Sequence, residues 1–303
     1  MNRKTNRLIA VCMFLCMSVY VMASSKDSTS QRLIHIIGVD FRPAYTFPTN
    51  GFFKGANAAQ TPVRKTFSGH VKYGFNVAPD PYWGRMYPYA IQGLGVEYNT
   101  FFNSSEIGNP LAVYAFQTYR MASITRRLSF DYEWNFGASF GWKKYDKETN
   151  PMNNVVGSKI NAYINFGLLL NWQIDACTNL RAGVGVTHYS NGNTGYPNSG
   201  VNTIGGNIGL IRYFGGKEKL ELYDRRYATY RNRNVFKPYI SYDLIVYGAL
   251  KKKGVFPPES SPVLVPGSFA VGGLNFTPMY NFSNYFRAGL SLDAQYDESA
   301  NIN

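Results

Sequence analysis

Beyond residue 24, hydrophobic and polar positions alternate with a period of two, as in strands with one face in an apolar medium. The clearest run spans residues 128–143. Leu128, Phe130, Tyr132, Trp134, Phe136, Ala138, Phe140 and Trp142 share one parity. Ser129, Asp131, Glu133, Asn135, Gly137, Ser139, Gly141 and Lys143 share the other. Residues 160–174 repeat the scheme, with Ile160, Ile164, Phe166, Leu168 and Trp172 on one face and Asn161, Asn165, Asn171 and Gln173 on the other. Read this way throughout, the chain has eleven strands: 33–47, 67–77, 89–102, 111–124, 128–143, 160–174, 180–190, 201–214, 235–250, 269–282 and 286–296.

These runs exceed the roughly 5–6 residues usual in soluble sheets and reach the roughly 9–11 that cross a bilayer. A soluble sandwich would bring shorter strands and more proline. Apolar faces ending in aromatic residues fit strands that face lipid on one side and a polar lumen on the other. The pattern therefore predicts an all-β fold, an antiparallel transmembrane barrel of the outer membrane with about 10–12 strands. Eleven is odd, whereas single-chain bacterial barrels have even counts, and residue 303 lies just past the last strand. The expectation is a barrel lacking its closing strand. Connections at 125–127 and 175–179 are short, and those at 48–66, 144–159 and 191–200 are longer. Short turns are periplasmic and long loops extracellular in such barrels, which orients the chain. The connection at 215–234 departs from this rule, being long and charged on the periplasmic side.

Composition agrees with strands. The 303 residues include 24 Tyr, 21 Phe, 4 Trp and 29 Gly, with only 16% charged residues, which excludes a disordered chain. The formal net charge is +13, so anionic partners are favoured. Arg3, Lys4 and Arg7 supply three of those charges and precede an apolar run from Leu8 to Met22. Small-residue cleavage after Ala23 makes residues 1–23 a signal peptide and 24–303 the barrel domain. Export argues against nucleic acid as the partner. Cys12 and Cys16 fall in the signal, so the mature chain keeps only Cys177 and forms no internal disulfide. His35, His70 and His188 lack metal spacing, and neither a metal nor an organic cofactor is implied. Glu97, Asp131 and Glu133 have lumenal parity and suit a polar interior. The Lys251-Lys252-Lys253 run reads as a solvated loop, with phosphate contact as the alternative.

One stretch could carry chemistry. Leu180, Ala182, Val184 and Val186 share the lipid-facing parity, and His188 and Ser190 continue it. Two residues along a strand rise about 6.6 Å, within reach of two side chains leaning together. A histidine can take the proton of a serine hydroxyl as it attacks an ester carbonyl. After the 191–200 loop, Asn202 returns to the same face with Ile204, Ile208 and Leu210, placed to orient the imidazole. Asn191 and Asn198 carry amides suited to an oxyanion. The plainer reading is interfacial polar residues at a strand end, followed by ordinary turn residues.

His188-Tyr189-Ser190-Asn191 followed by Pro197-Asn198-Ser199-Gly200 resembles the active-site segment of the outer-membrane lipid A 3-O-deacylases, the PagL family, often labelled acyloxyacyl hydrolases. The 39–45 and 132–137 stretches look like its longer Bacteroidetes-type branch. The resemblance implies a Ser-His-Glu triad on the outer barrel surface, with lipid A of lipopolysaccharide as substrate. His188 matches the base, Ser190 the nucleophile and Asn198 the oxyanion donor. The glutamate position falls on Asn202, a departure, since an amide cannot supply the charge that stabilises an imidazolium. A non-catalytic barrel, either a small pore or a surface protein with a degenerate triad, is the other reading. The oligomeric state is not legible.

Overall fold

The computed structural model describes residues 34–76, 89–214, 237–255, 263–283, 286–300 and 302. The expected signal peptide, residues 1–23, and the 215–234 connection lie outside the described residues. Eight antiparallel strands close into a barrel: β1 (Ile34–Thr46), β2 (Lys65–Asn76), β3 (Ile91–Thr100), β4 (Gly108–Ser123), β5 (Leu128–Trp142), β6 (Ile160–Gln173), β7 (Thr178–Ser190) and β8 (Val201–Phe214). Each strand pairs with its neighbour in sequence, and β8 returns to β1 with Phe41 opposite Ile208 and His35 opposite Phe214. The predicted alternation is the reason: every strand has one apolar and one polar face, and closure turns all apolar faces outward at once. Val184, Ile164, Phe136 and Ile204 are exposed on the outer wall, whereas Asp131, Glu133, Arg181 and Asn165 are buried inside.

The count of eleven is corrected here, and with it the missing closing strand. Eight strands complete the barrel, and the remaining three predicted runs form a separate sheet of β9 (Tyr239–Lys251), β12 (Phe269–Asn281), β13 (Arg287–Gly289) and β14 (Leu292–Asp297). Two further short strands, β10 (Gly254–Val255) and β11 (Val263–Leu264), pair with each other. Periodicity alone did not separate these sheets, because β9 alternates as the barrel strands do up to Leu244; beyond it Ile245 and Tyr247 put apolar side chains on the other face as well. Ile240, Tyr242, Leu244 and Val246 share one exposed apolar face, opposite Ser241 and Asp243. Closure depends on which strand β8 meets, and β1 satisfies the edge of β8 before β9 is reached.

The lumen is filled rather than open. Glu133 accepts from Arg42 at 3.0 Å, Lys72 at 2.9 Å, Arg181 at 2.8 Å and Thr118 at 2.9 Å. Lys72 and Arg42 also pair with Asp40. Glu97, Asp131 and Glu133 are thus lumenal, as their parity predicted. Towards the rim of the long loops, Tyr114, Tyr163, Tyr189, Trp142 and Phe101 pack ring against ring. Phe52, Phe53, Ile107 and Val155 extend this core into the loops and seal that end.

Candidate active site

The site sits at the long-loop rim, where β7 ends and β8 begins. Tyr189 explains why its neighbours face outward. Its ring is buried in the lumenal aromatic cluster, and its hydroxyl donates to Glu97 Oε1 at 2.5 Å and accepts from Asn99 Nδ2 at 2.8 Å. With Tyr189 held inside, the pleat turns His188 and Ser190 to the outer wall. There His188 lies opposite Ile164 and Ser190 opposite Ala162 on β6. Ile164 and Ile204 are each 43% exposed, so the polar pair is set in a hydrocarbon-facing surface.

Across β8, His188 is in register with Asn202. Asn202 Oδ1 stands 2.7 Å from His188 Nδ1. A carbonyl oxygen accepts, so Nδ1 carries the proton and Nε2 keeps its lone pair. This is the tautomer a general base needs. Asn202, expected from the sequence to orient the imidazole, stands within hydrogen-bond distance of it as an uncharged amide.

The 191–200 loop is built from amides. The Asn191 backbone N–H donates to Asn198 Oδ1 at 3.1 Å, and Asn198 Nδ2 donates to Asn193 Oδ1 at 3.1 Å. The Asn198 amide thus turns its oxygen to the strand end at Asn191 and keeps one further N–H on Nδ2. Asn191 is placed differently: its side chain is buried, and its Nδ2 donates to Gly195 O at 2.9 Å within the loop. A neighbouring loop holds this one, through Ser199 Oγ donating to Asn154 O at 3.1 Å and an isolated bridge between Val156 and Asn198.

Two supporting residues were given no role by the sequence. Gly200 has φ +68° and lies against the imidazole, so a Cβ there would stand 3.2 Å from His188 Cε1. Its sequence signals are a glycine just before a strand and its place at the end of the 197–200 motif. Asn193, with φ +61°, turns the loop and receives Asn198. The three lysines differ from the solvated reading. Lys251 pairs with Asp297 at 2.5 Å, Lys252 Nζ donates to Gly267 O, and Lys253 Nζ donates to Ser299 O at 2.9 Å. Cys177 sits in the β6–β7 turn, far from the site in register, where its N–H donates to Asp175 Oδ1 at 2.7 Å. That bond and the N–H groups of the turn hold the Asp175 carboxyl below its usual range. Among the described residues, no group of three or more His, Cys, Asp or Glu is spaced to hold a metal ion.

No curated protein sequence matches the chain. Among solved structures, the outer membrane enzyme PagL is 14% identical with a TM-score of 0.40, over 57% of this chain and 97% of that one. Neisserial surface protein A is 8% identical with a TM-score of 0.39, over 60% of this chain and 97% of that one. The N-terminal barrel domain of Pseudomonas aeruginosa OprF is 10% identical with a TM-score of 0.34, over 61% of this chain and 98% of that one. Residues 67–210, which hold His188, Ser190, Asn198 and Asn202, match the family described as lipid A 3-O-deacylase (PagL). Residues 240–303 match the acyloxyacyl hydrolase C-terminal domain. The two segments match in order along one barrel chain, so over residues 67–210 and 240–303 this protein is similar to the PagL family of lipid A deacylases and acyloxyacyl hydrolases.

Proposed function

We propose that the protein is an outer-membrane serine esterase that removes an ester-linked acyl chain from lipid A, the mature barrel following export and removal of residues 1–23. The observation that carries this reading is the His188 Nδ1–Asn202 Oδ1 contact of 2.7 Å on the lipid-facing wall. It leaves the Nε2 lone pair on the same face as Ser190, at the long-loop rim of the apolar outer wall. In the reaction, Ser190 Oγ bonds to the ester carbonyl carbon while its proton passes to His188 Nε2. The carbonyl oxygen becomes an oxyanion, which the free Asn198 N–H stabilises. Collapse breaks the bond to the sugar oxygen, which takes the proton from Nε2. Water then repeats the sequence on the acyl-serine, with His188 again the base, and releases the fatty acid. Asn191 supports this by shaping the loop. The filled lumen favours this reading over a pore, and an uncharged orienter suits a slow enzyme better than no enzyme, since its tautomer control is intact.

The test is mass spectrometry of lipid A from cells carrying the wild-type chain or Ser190→Ala, with fatty acid release from purified lipid A as the direct assay. Loss of one acyl chain with wild type and not with Ser190→Ala is expected. His188→Ala should match Ser190→Ala, because members of such a unit fail together. Equal lipid A profiles for wild type and Ser190→Ala would leave a non-catalytic barrel.

A further inference from the structure

The C-terminal sheet touches the barrel's rim at one informative place. The Lys252 backbone N–H, one residue past β9, donates to Asn193 O in the 191–200 loop at 2.6 Å. Two residues later, Gly254 lies against the ring of Tyr196, where an added Cβ would stand 3.1 Å from Tyr196 Cε2. The segment is itself held firmly. The side chains of Lys251, Lys252 and Lys253 all turn to acceptors of the C-terminal portion, at Asp297, Gly267 and Ser299. Behind it, β9 pairs with β12 along its whole length, from Tyr239–Asn281 to Lys251–Phe269. The three ammoniums are therefore fasteners, and what reaches the loop is a backbone donor and a glycine surface.

The loop turns at Gly192 and Asn193, both with φ near +60°, a left-handed conformation that glycine and asparagine adopt readily, so its place over the strand end is set by the bonds it makes. Asn193 carries the bond onward, because its Oδ1 receives Asn198 Nδ2 and Asn198 Oδ1 receives the Asn191 N–H next to Ser190. We infer that the C-terminal sheet is a positioning clamp: through Lys252 N–H and Gly254 it sets where the Asn198 amide stands relative to Ser190. Lys252 and Gly254 are positioning residues, acting through Asn198. This rests on the proposed esterase reading, which gives Asn198 its task.

The experiment uses the full-length chain in detergent, with purified lipid A as substrate. Lys252→Pro removes the N–H, and Lys252→Ala keeps it while removing the ammonium. Lys252→Pro and Gly254→Val are expected to lower kcat about tenfold or more with little change in KM, as small misplacements of a donor do. Lys252→Ala is expected to retain the hydrolysis that Lys252→Pro loses. In an Asn198→Ala background, Lys252→Pro should cost nothing further, a coupling that general loosening of the protein would not produce. Wild-type kcat in Lys252→Pro, equal loss in Lys252→Ala, or full additivity with Asn198→Ala would overturn the clamp. If the wild type itself fails to exceed Ser190→Ala, the esterase reading falls, and amide exchange decides the clamp alone. Exchange at residues 191–200 should then be faster in Lys252→Pro than in Lys252→Ala, and equal exchange would refute it.

Discussion

At His188 the two ring nitrogens have separate tasks, and Asn202 sorts them. Because Asn202 Oδ1 faces Nδ1 at 2.7 Å, the proton is fixed there and the lone pair points away on Nε2. A carboxylate would do the same and would also stabilise the imidazolium formed when serine loses its proton. Asn202→Glu should therefore raise kcat by at least about tenfold, and Asn202→Ala should lower it less than Ser190→Ala does. Fatty acid release from lipid A measures both; a glutamate variant slower than wild type would mean that the charge is not what Asn202 lacks. The His-x-Ser parity made the proposed nucleophile and base legible in the sequence, and a strand's period placed Asn202 on the same face. The Asn202–His188 distance was not legible, since it depends on the β7–β8 register, which the ten-residue loop between them sets.

Among the elements, β7 carries the site because its last turn of pleat is pegged from inside. Tyr189 reaches Glu97 on β3 and receives Asn99, across the lumen from its own strand. Tyr189→Phe keeps the ring packing and removes the hydroxyl that donates to the buried Glu97 at 2.5 Å. The barrel should lose about 1–3 kcal/mol, read as a lower midpoint for urea unfolding followed by gel mobility. Hydrolysis by the variant should fall as well, as β7 slackens beside Ser190. An unchanged midpoint would show that the peg is not load-sharing. Sequence parity placed Tyr189 and Glu97 on lumenal faces, but their pairing joins residues 92 apart and needs a closed barrel to exist.

For the whole molecule, closure at eight strands has a testable consequence. Residues 34–214 complete every edge, so a chain stopped after Phe214 should still reach the outer membrane and show heat-modifiable gel mobility. The same chain should hydrolyse lipid A more slowly, because the donor from Lys252 is gone. Failure to fold would mean that the C-terminal sheet contributes to barrel closure. The filled lumen makes a second demand. Glu133 gathers Arg42, Lys72 and Arg181 in a buried cluster, and removing one partner of such a cluster typically costs about 3–5 kcal/mol. Glu133→Ala should lower stability on that order. Planar-bilayer recordings of the wild type should show no steady conductance, and an open channel would return the pore reading to consideration.

The alternation along residues 128–143 and 160–174 determined by itself that the chain is a lipid-facing β-barrel, because only a closed sheet satisfies backbone groups while presenting apolar faces to hydrocarbon. It also determined which residues face inward, down to Asp131 and Glu133. Strand pairing could not follow from it, since a period of two places each side chain on a face and does not say which strand lies alongside. Which edge β8 meets is a long-range choice, settled when β1 pairs with it. The amide loop over Ser190 was likewise decided only in three dimensions. Its glycine and asparagine turns are visible as residues, but their positions come from partners at Asn154, Val156 and Lys252, brought together by neighbouring loops and a second sheet.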